Sequence, residues 1–146
     1  MAFKFRCDCP ITSALDVLGD RWLLVLVKQM LLEDRRTFKD FIESDEAIAT
    51  NILSAKLKLL EEAHLVTKSK LPNNKKTNLY QLTEKGLALT PVIVELALWS
   101  DANLRDWNTI MRKGAELDQM RDDKANFIKG VKQRYRDQFD SNAFDV

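Results

Sequence analysis

The stretch from Arg35 to Leu82 constrains the fold more than any other, because its hydrophobic pattern changes from helical to alternating. Apolar residues recur first at helical spacing and later at every second position. The pattern predicts four elements in the order helix, helix, strand, strand: residues 38–43, 50–63, 65–71 and 78–82. A polar turn separates the two helices, and a Pro-Asn-Asn-Lys-Lys segment separates the two strands. This order predicts a winged helix-turn-helix.

Composition supports a mainly α-helical chain with one small β-hairpin. Four glycines and three prolines in 146 residues are too few for the many turns of an all-β fold. The length allows one domain, or one domain with an appendage. We expect residues 1–113 to form the winged helix-turn-helix together with extra dimerisation helices, and residues 114–146 to form a C-terminal helical extension.

The longer helix of the stretch has two different faces. At 100° per residue, its large apolar side chains fall on one side. The opposite side carries Thr50, Asn51, Ser54 and Lys58. A helix that enters the major groove of DNA needs small polar side chains in its first turns, because these hydrogen-bond to base edges. The face therefore predicts a DNA-reading surface, although the solvated face of an ordinary amphipathic helix would show the same pattern.

Positive charge is concentrated in the same region. The whole chain has a net charge of only +1, but residues 50–80 contain six lysines and two glutamates, a net charge of +4. Lys75 and Lys76 are predicted at the tip of the hairpin, in a loop over residues 72–77, where they can contact DNA phosphates. Lys56 falls on the apolar side of the helix, so its stem is predicted to cover the edge of the core while its ammonium group emerges.

Apolar helices are predicted on both sides of this stretch. A helix over residues 21–32 is apolar almost all round, and another over residues 91–112 carries a broad apolar stripe. A preceding helix is predicted to begin at Pro10 and to end at a left-handed Gly19. The stripe over residues 91–112 is too broad for a helix that lies alone on a compact core, which predicts a homodimer.

The sequence shows no pattern typical of an active site. It contains no metal-ligand cluster, no nucleophile paired with a base and no phosphate-binding loop, so we expect no catalytic residue, no metal and no cofactor. The single histidine, His64, is predicted to end the longer helix. No run approaches the ~18 apolar residues of a membrane span, and no signal peptide is evident. A cytoplasmic location without a membrane partner is expected.

Six short segments follow one another in a characteristic order over about residues 7–100: Cys9-Pro10, Gly19–Trp22, Arg35–Phe41, Ile48–Ser54, Leu57–Ala63 and Tyr80–Gly86. Any one of them is common, but the ordered set is specific. The set resembles the HxlR family of bacterial winged-helix regulators, relatives of the MarR group. Ala47 and His64 stand where that family usually has glycine, and Lys75-Lys76 where many members have prolines.

The resemblance implies a homodimer that binds double-stranded DNA at a pseudo-palindromic promoter site. It implies that the four polar residues of the longer helix face the major groove and that the wing touches the flanking backbone. Two recognition helices related by a two-fold axis would lie about 34 Å apart. The segment that follows about residue 114 is longer than expected for a member of the family. The resemblance therefore implies no function for this extension.

A further hypothesis concerns Cys9, which can be compared with the sensing cysteine of the proteins that this chain resembles. Several members of the family sense electrophiles or oxidants through the cysteine of this segment, so the resemblance implies a small-molecule or oxidant effector. A thiol at a helix N-terminus lies at the positive end of the dipole, and Arg6 is close in sequence; both favour the thiolate. Asp8 opposes this effect, and a buried, inert Cys9 is the alternative interpretation. A Cys7–Cys9 disulfide would close a very tight ring.

These patterns lead to one main hypothesis and one alternative. The main hypothesis is a homodimeric, sequence-specific DNA-binding transcriptional regulator without enzymatic activity, either repressor or activator. The alternative is a winged helix used as a protein-interaction module, in which the lysines serve only solubility. The patterns do not specify the operator, the regulated genes or the inducing signal.

Overall fold

The computed structural model describes residues 3–140. The helices are α1 (Pro10–Leu18), α2 (Leu23–Glu33), α3 (Phe38–Ile42), α4 (Thr50–Glu62), α5 (Glu84–Leu87), α6 (Thr90–Asn103), α7 (Ala115–Asp122) and α8 (Lys124–Asp140). The strands are β1 (Val66–Leu71) and β2 (Asn74–Leu82). The chain divides into two compact units between Leu87 and Ala88. The first unit has the predicted order of helix, turn, helix and hairpin.

Helix α2 supplies much of the core of the first unit. Its fully or nearly fully buried residues are Leu23, Leu26, Val27, Gln29, Met30 and Leu31. Apolar side chains nearly all round the helix leave it no wide solvent face. Its first turn is capped from outside, because Oδ1 of Asp20 accepts hydrogen bonds from the N–H groups of Trp22 (2.7 Å) and Leu23 (2.8 Å).

Helix α1 is an exposed helix of the same unit, and none of its residues is buried within the described part of the chain. Ile11 and Leu15 are 73% and 54% exposed. Gly19 ends α1 in a right-handed conformation (φ −75°, ψ −3°), so the predicted left-handed end is wrong. Glycine is needed there for a different reason: the carbonyl oxygen of Leu15 lies so close to the backbone that an added Cβ would be only 2.3 Å from it.

Helices α3 and α4 begin differently. Helix α3 has a capping box, in which Oγ1 of Thr37 accepts from the N–H of Asp40 (3.2 Å) and Oδ2 of Asp40 accepts from the N–H of Thr37 (3.0 Å). Helix α4 follows Ala49, which has no side-chain group to cap it. It packs on the core through a stripe at helical spacing, formed by Leu53, Leu57 and Leu60.

Two residues flanking α4 adopt the left-handed conformation. Ala47 has φ 55° in the turn before the helix, and His64 has φ 59° immediately after its C-cap. The N–H of Leu65 bonds back to the carbonyl of Leu60 (3.0 Å), which closes the helix end around His64. The prediction that His64 ends this helix is confirmed.

Strands β1 and β2 form an antiparallel hairpin with a turn of two residues, 72–73, where the sequence predicted a loop over residues 72–77. Lys75 and Lys76 therefore lie within β2, and their predicted place in a loop is wrong. The register explains the difference, because the first residue of β2 already pairs with the last residue of β1. The pairing then shifts, which leaves the two lysines in an irregular part of the ladder.

In the second unit, α6 ends at Asn103, well before the predicted end near residue 112. The side-chain amide of Asn103 donates to the carbonyl of Trp99 (3.0 Å), and the residues that follow are rich in Asn, Asp and Thr, which compete with helical hydrogen bonds. The guanidinium of Arg105 then holds the loop by donating to the carbonyls of Met111 (2.9 Å) and Arg112 (3.0 Å).

The C-terminal extension, predicted as one helix, contains two, α7 and α8, which separate at Asp123. Both contact α6, and their inward residues are buried: Met120, Phe127, Val131 and Tyr135. Ion pairs join Arg121 to Asp101 (2.6 Å) and Lys124 to Glu95. Residues 141–146 of the predicted extension lie outside the described residues, and the boundary at residue 113 stays a prediction. None of the described helices has the length and apolarity that crossing a membrane requires.

Candidate nucleic-acid interface

The structure places four of the predicted DNA-binding residues on the outer side of α4. Thr50, Asn51, Ser54 and Lys58 are all exposed, while Leu53, Leu57 and Leu60 on the other side are buried. Ile52 is 36% exposed, although its position on the helical wheel had placed it among the core residues. The outer face of the first two turns therefore exposes short hydroxyl and amide groups to solvent.

The lysines of this region divide into paired and unpaired groups. Lys68 lies 3.9 Å from a carboxylate oxygen of Glu61, and Lys70 donates to the side chain of Asn78 (2.6 Å). In contrast, no carboxylate of the described residues lies within ion-pair distance of the three exposed lysines predicted to contact DNA: Lys58, Lys75 and Lys76. Their charge is available to a phosphate without first breaking an internal ion pair.

Lys56 differs from these lysines because it is already paired. Its ammonium group lies 2.9 Å from Oδ2 of Asp20, and both side chains are partly buried. Partial burial raises the pKa of Asp20, but the hydrogen bonds from Lys56 and from the backbone N–H groups of Leu23 and Trp22 outweigh it, so the pKa is lowered. Asp20 also caps α2, whereas its contact to Lys56, 36 positions away, has no local signal in the sequence.

A second polar network lies at the turn before α4. The carboxylate of Glu46 accepts from Nζ of Lys28 (2.5 Å) and from the side-chain amide of Gln29 (2.7 Å), which is fully buried. Lys28 also bonds to Glu33 (2.6 Å), which in turn pairs with Arg35 (3.1 Å). Partial burial raises the pKa of Glu46, but the hydrogen bonds from Lys28 and Gln29 outweigh it, so the pKa is lowered overall.

Cys9 is the N-cap residue of α1. The pKa of its thiol is lowered, first by the backbone N–H of Thr12 and then by the Thr12 hydroxyl and the backbone N–H of Ile11. Arg6, which the sequence suggested as a further cause, binds Asp16 instead (2.6 Å). Cys9 is partly exposed in the single chain, and the choice between a sensor and an inert residue stays a prediction.

Outside the winged helix, α6 exposes a stripe of large apolar side chains. Val92, Leu96 and Trp99 are spaced at i, i+4 and i+7 and are 41%, 49% and 58% exposed. Scattered exposed apolar residues are ordinary on a protein surface, but a stripe at helical spacing is a typical interaction surface. Among the described residues, no three His, Cys, Asp or Glu side chains are grouped to hold a metal ion.

A family model described as HxlR-like helix-turn-helix matches residues 17–108, which is more than half of the chain. The chain belongs to the HxlR family. Over 103 residues it is 33% identical to the HTH-type transcriptional regulator YodB of Bacillus subtilis, an alignment that covers 70% of this chain and 91% of YodB.

Two solved structures of Bacillus subtilis YodB share the fold of this HxlR chain. The reduced form is 34% identical with a TM-score of 0.53 and covers 66% of this chain and 95% of that one. The quinone-bound form is 34% identical with a TM-score of 0.52 and covers 65% and 99% of the two chains. The predicted winged helix-turn-helix fold and the assignment to a family of transcriptional regulators are confirmed. The family match includes α4 and the hairpin, but neither Cys9 nor α7 and α8.

Proposed function

We propose that this HxlR chain is a cytoplasmic homodimer that regulates transcription by binding a pseudo-palindromic site in double-stranded DNA, and that it has no enzymatic activity. The observation that supports this most directly is the face of α4. It combines a buried leucine stripe with an exposed row of residues able to bond base edges: Thr50, Asn51, Ser54 and Lys58. In the proposed complex, Asn51 reads a base and Lys58 contacts a phosphate or a guanine.

The hairpin contributes affinity in this proposal. Lys75 and Lys76 are exposed on β2 and bind phosphates beside the site that α4 reads. Contacts of this kind release counterions, add affinity for any sequence and weaken as salt is raised. The net charge of +1 for the whole chain is compatible with this proposal, because the positive charge is local.

The proposed dimer uses apolar surface that a lone chain leaves in water. Candidate contacts are the α6 stripe and the exposed Ile11 and Leu15 of α1. Burying such side chains is favourable by about 25 cal/mol for each Å² of apolar area. A two-fold dimer would present two copies of α4 at about one helical turn of DNA.

An oxidant or electrophile is the proposed effector, with Cys9 as the residue that reacts. The lowered pKa of the thiol supports this, because the thiolate is the nucleophile in such reactions. The quinone-bound structure of YodB shows that a relative takes a quinone. The rival function, a protein-interaction module, is disfavoured by the unpaired lysines and the small polar face of α4.

The proposed function is tested most directly by Asn51→Ala, after operator sequences have been selected from random DNA. We expect the variant to lose preference at one position of each half-site, with a loss of about 1–3 kcal/mol in binding free energy. Asn108→Ala removes an exposed asparagine in the second unit and serves as the control. If Asn51→Ala and Asn108→Ala bound operator and scrambled DNA alike, Asn51 would not read a base.

A further inference from the structure

Helix α4 lacks the local features that usually fix where a helix begins. Its N-cap, Ala49, makes no side-chain hydrogen bond, and Ala47 just before it holds a left-handed conformation without being glycine. Burial of leucines along one side holds α4 on the core, but the hydrophobic effect itself is not directional. A recognition helix needs a fixed register, which directional contacts from elsewhere in the first unit can add to this packing.

Two carboxylates outside α4 provide directional contacts at two separate points. Asp20 precedes α2 and binds Lys56 in the middle of α4, at 2.9 Å. Glu46 lies in the turn before α4 and is bound by Lys28 (2.5 Å) and Gln29 (2.7 Å) of α2. One contact lies before the helix and the other nearly two turns along it, so together they restrict both its rotation and its sliding against α2.

Each carboxylate is itself held in place. The other oxygen of Asp20 caps α2 through the N–H groups of Trp22 and Leu23, which prevents the side chain from turning away from Lys56. The partner of Glu46, Gln29, is fully buried, and its own position is fixed by the core. Both contacts thus connect α4 to the most buried helix of the unit.

We propose that Asp20 and Glu46 are positioning residues for DNA recognition, which hold α4 at a fixed angle and register on α2 without touching DNA. This inference rests on the proposed function. It makes Lys56 an internal anchor and not a phosphate contact, although Lys56 is a lysine on the recognition helix. It also assigns to α2 a second task beyond filling the core.

Simple electrostatics and positioning predict opposite results for Asp20→Asn. Asparagine keeps an oxygen that can cap α2 but removes the negative charge that binds Lys56. Loss of a negative charge near DNA should tighten binding to any sequence. If Asp20 positions α4, the ratio of operator affinity to scrambled-DNA affinity should instead fall by about tenfold, as for one mismatched base pair. A ratio is unaffected by partial loss of folded protein, because both affinities change equally.

Matched variants separate the two contacts from general charge effects. Glu46→Gln keeps an acceptor for Gln29 but weakens the bond to Lys28, and should lower the ratio as Asp20→Asn does. Asp45→Asn removes the same charge from the exposed neighbouring position and should leave the ratio unchanged. Lys56→Met should lower the affinity ratio without changing the dependence of affinity on salt concentration. In the double variant with Asp20→Asn, the ratio should be no lower than in Asp20→Asn alone.

A measurement on the free protein tests the inference independently of DNA. Amide hydrogen exchange in the first two turns of α4, residues 50–57, should be faster in Asp20→Asn and Glu46→Gln than in Asp45→Asn. Equal exchange in all three variants, or an unchanged affinity ratio, would overturn the positioning role. If wild-type protein showed no preference for any DNA sequence, the proposed function itself would fail, and the exchange data would still decide whether the two carboxylates hold α4.

Discussion

At the scale of single residues, the left-handed Ala47 and His64 show that this chain keeps a conformation for which glycine is better suited. Both have φ near +57°, where a Cβ approaches the following carbonyl. Non-glycine residues in this region typically cost on the order of 1–3 kcal/mol each. The resemblance to the HxlR family had marked the same two positions, where glycine is usual, and the backbone supplies the physical reason.

Ala47→Gly is therefore expected to increase the free energy of unfolding by about 1 kcal/mol, the relief of strain being partly offset by the greater freedom of glycine in the unfolded chain. Urea denaturation with an unchanged m-value would measure it. Ala55→Gly is the control, because Ala55 is exposed in the middle of α4, where glycine should cost about 1 kcal/mol. Destabilisation by both substitutions would contradict the strain at Ala47.

Cys9 and Cys7 allow a matched comparison of two neighbouring thiols. The lowered pKa of Cys9 predicts that its reaction with a quinone reaches its maximum rate at a pH below that of an ordinary thiol, since more thiolate is present. Cys9→Ser should abolish the effect of quinone on DNA binding, and Cys7→Ser should retain it. Mass spectrometry of the adduct and an operator-binding titration measure the two effects. A full response in Cys9→Ser would exclude Cys9 as the sensor.

At the scale of elements, helical periodicity was sufficient to predict the bounds and the outer face of a helix that is buried on one side and exposed on the other. Helix α4 was predicted over residues 50–63 and observed over Thr50–Glu62, with its polar face outward as expected. Periodicity failed for α6, because apolar residues continue beyond Asn103 although the backbone there is held in a loop by Arg105. The spacing of apolar residues gives no sign that the Arg105 side chain binds carbonyls six and seven residues further along the chain.

Contacts between distant elements were the other part that the sequence did not reveal. Lys56 was recognised as unusual because it lies on the apolar side of α4, yet its partner Asp20 lies in the distant turn between α1 and α2. The hairpin turn was misplaced for a related reason, since several of residues 72–77 favour turns and only strand pairing decides which of them close the hairpin. The residue types thus pointed to Lys56 and to residues 72–77 as unusual. Their contacts in the folded chain, an ion pair and strand pairing, determine what they do.

The hairpin itself gives a prediction for an element. Replacing both Lys75 and Lys76 with alanine should weaken binding to operator and scrambled DNA by a similar factor and reduce the salt slope by about 2, because two phosphate contacts are lost. Electrophoretic or fluorescence titrations over a range of salt concentrations measure this. Lys113→Ala with Lys129→Ala removes the same charge from exposed positions of the second unit and should have little effect. Equal effects of the two pairs would mean that only net charge matters.

At the scale of the whole molecule, the chain joins a unit with the features of a DNA reader to a unit with an exposed apolar stripe. The first unit presents polar and positive groups on α4 and β2, whereas α6 of the second presents Val92, Leu96 and Trp99. A pseudo-palindromic site requires two copies of the reader, so the proposed function requires that some surface of the chain bind its own copy. The α6 stripe is suited to that because it is apolar, continuous and located on a regular helix.

Leu96→Glu tests this requirement at the centre of the stripe. A carboxylate buried opposite its symmetry mate in a two-fold interface would be desolvated and repelled, so the variant should sediment as a monomer of 16.9 kDa where the wild type sediments at twice that mass. Its operator affinity should fall by about a hundredfold or more, because each half-site is then bound independently. Ala102→Glu introduces the same charge at an exposed position of α6 outside the stripe and should remain dimeric. If Leu96→Glu stayed dimeric while Ile11→Glu dissociated, the two-fold contact would be formed by α1, and the α6 stripe would have to serve another partner.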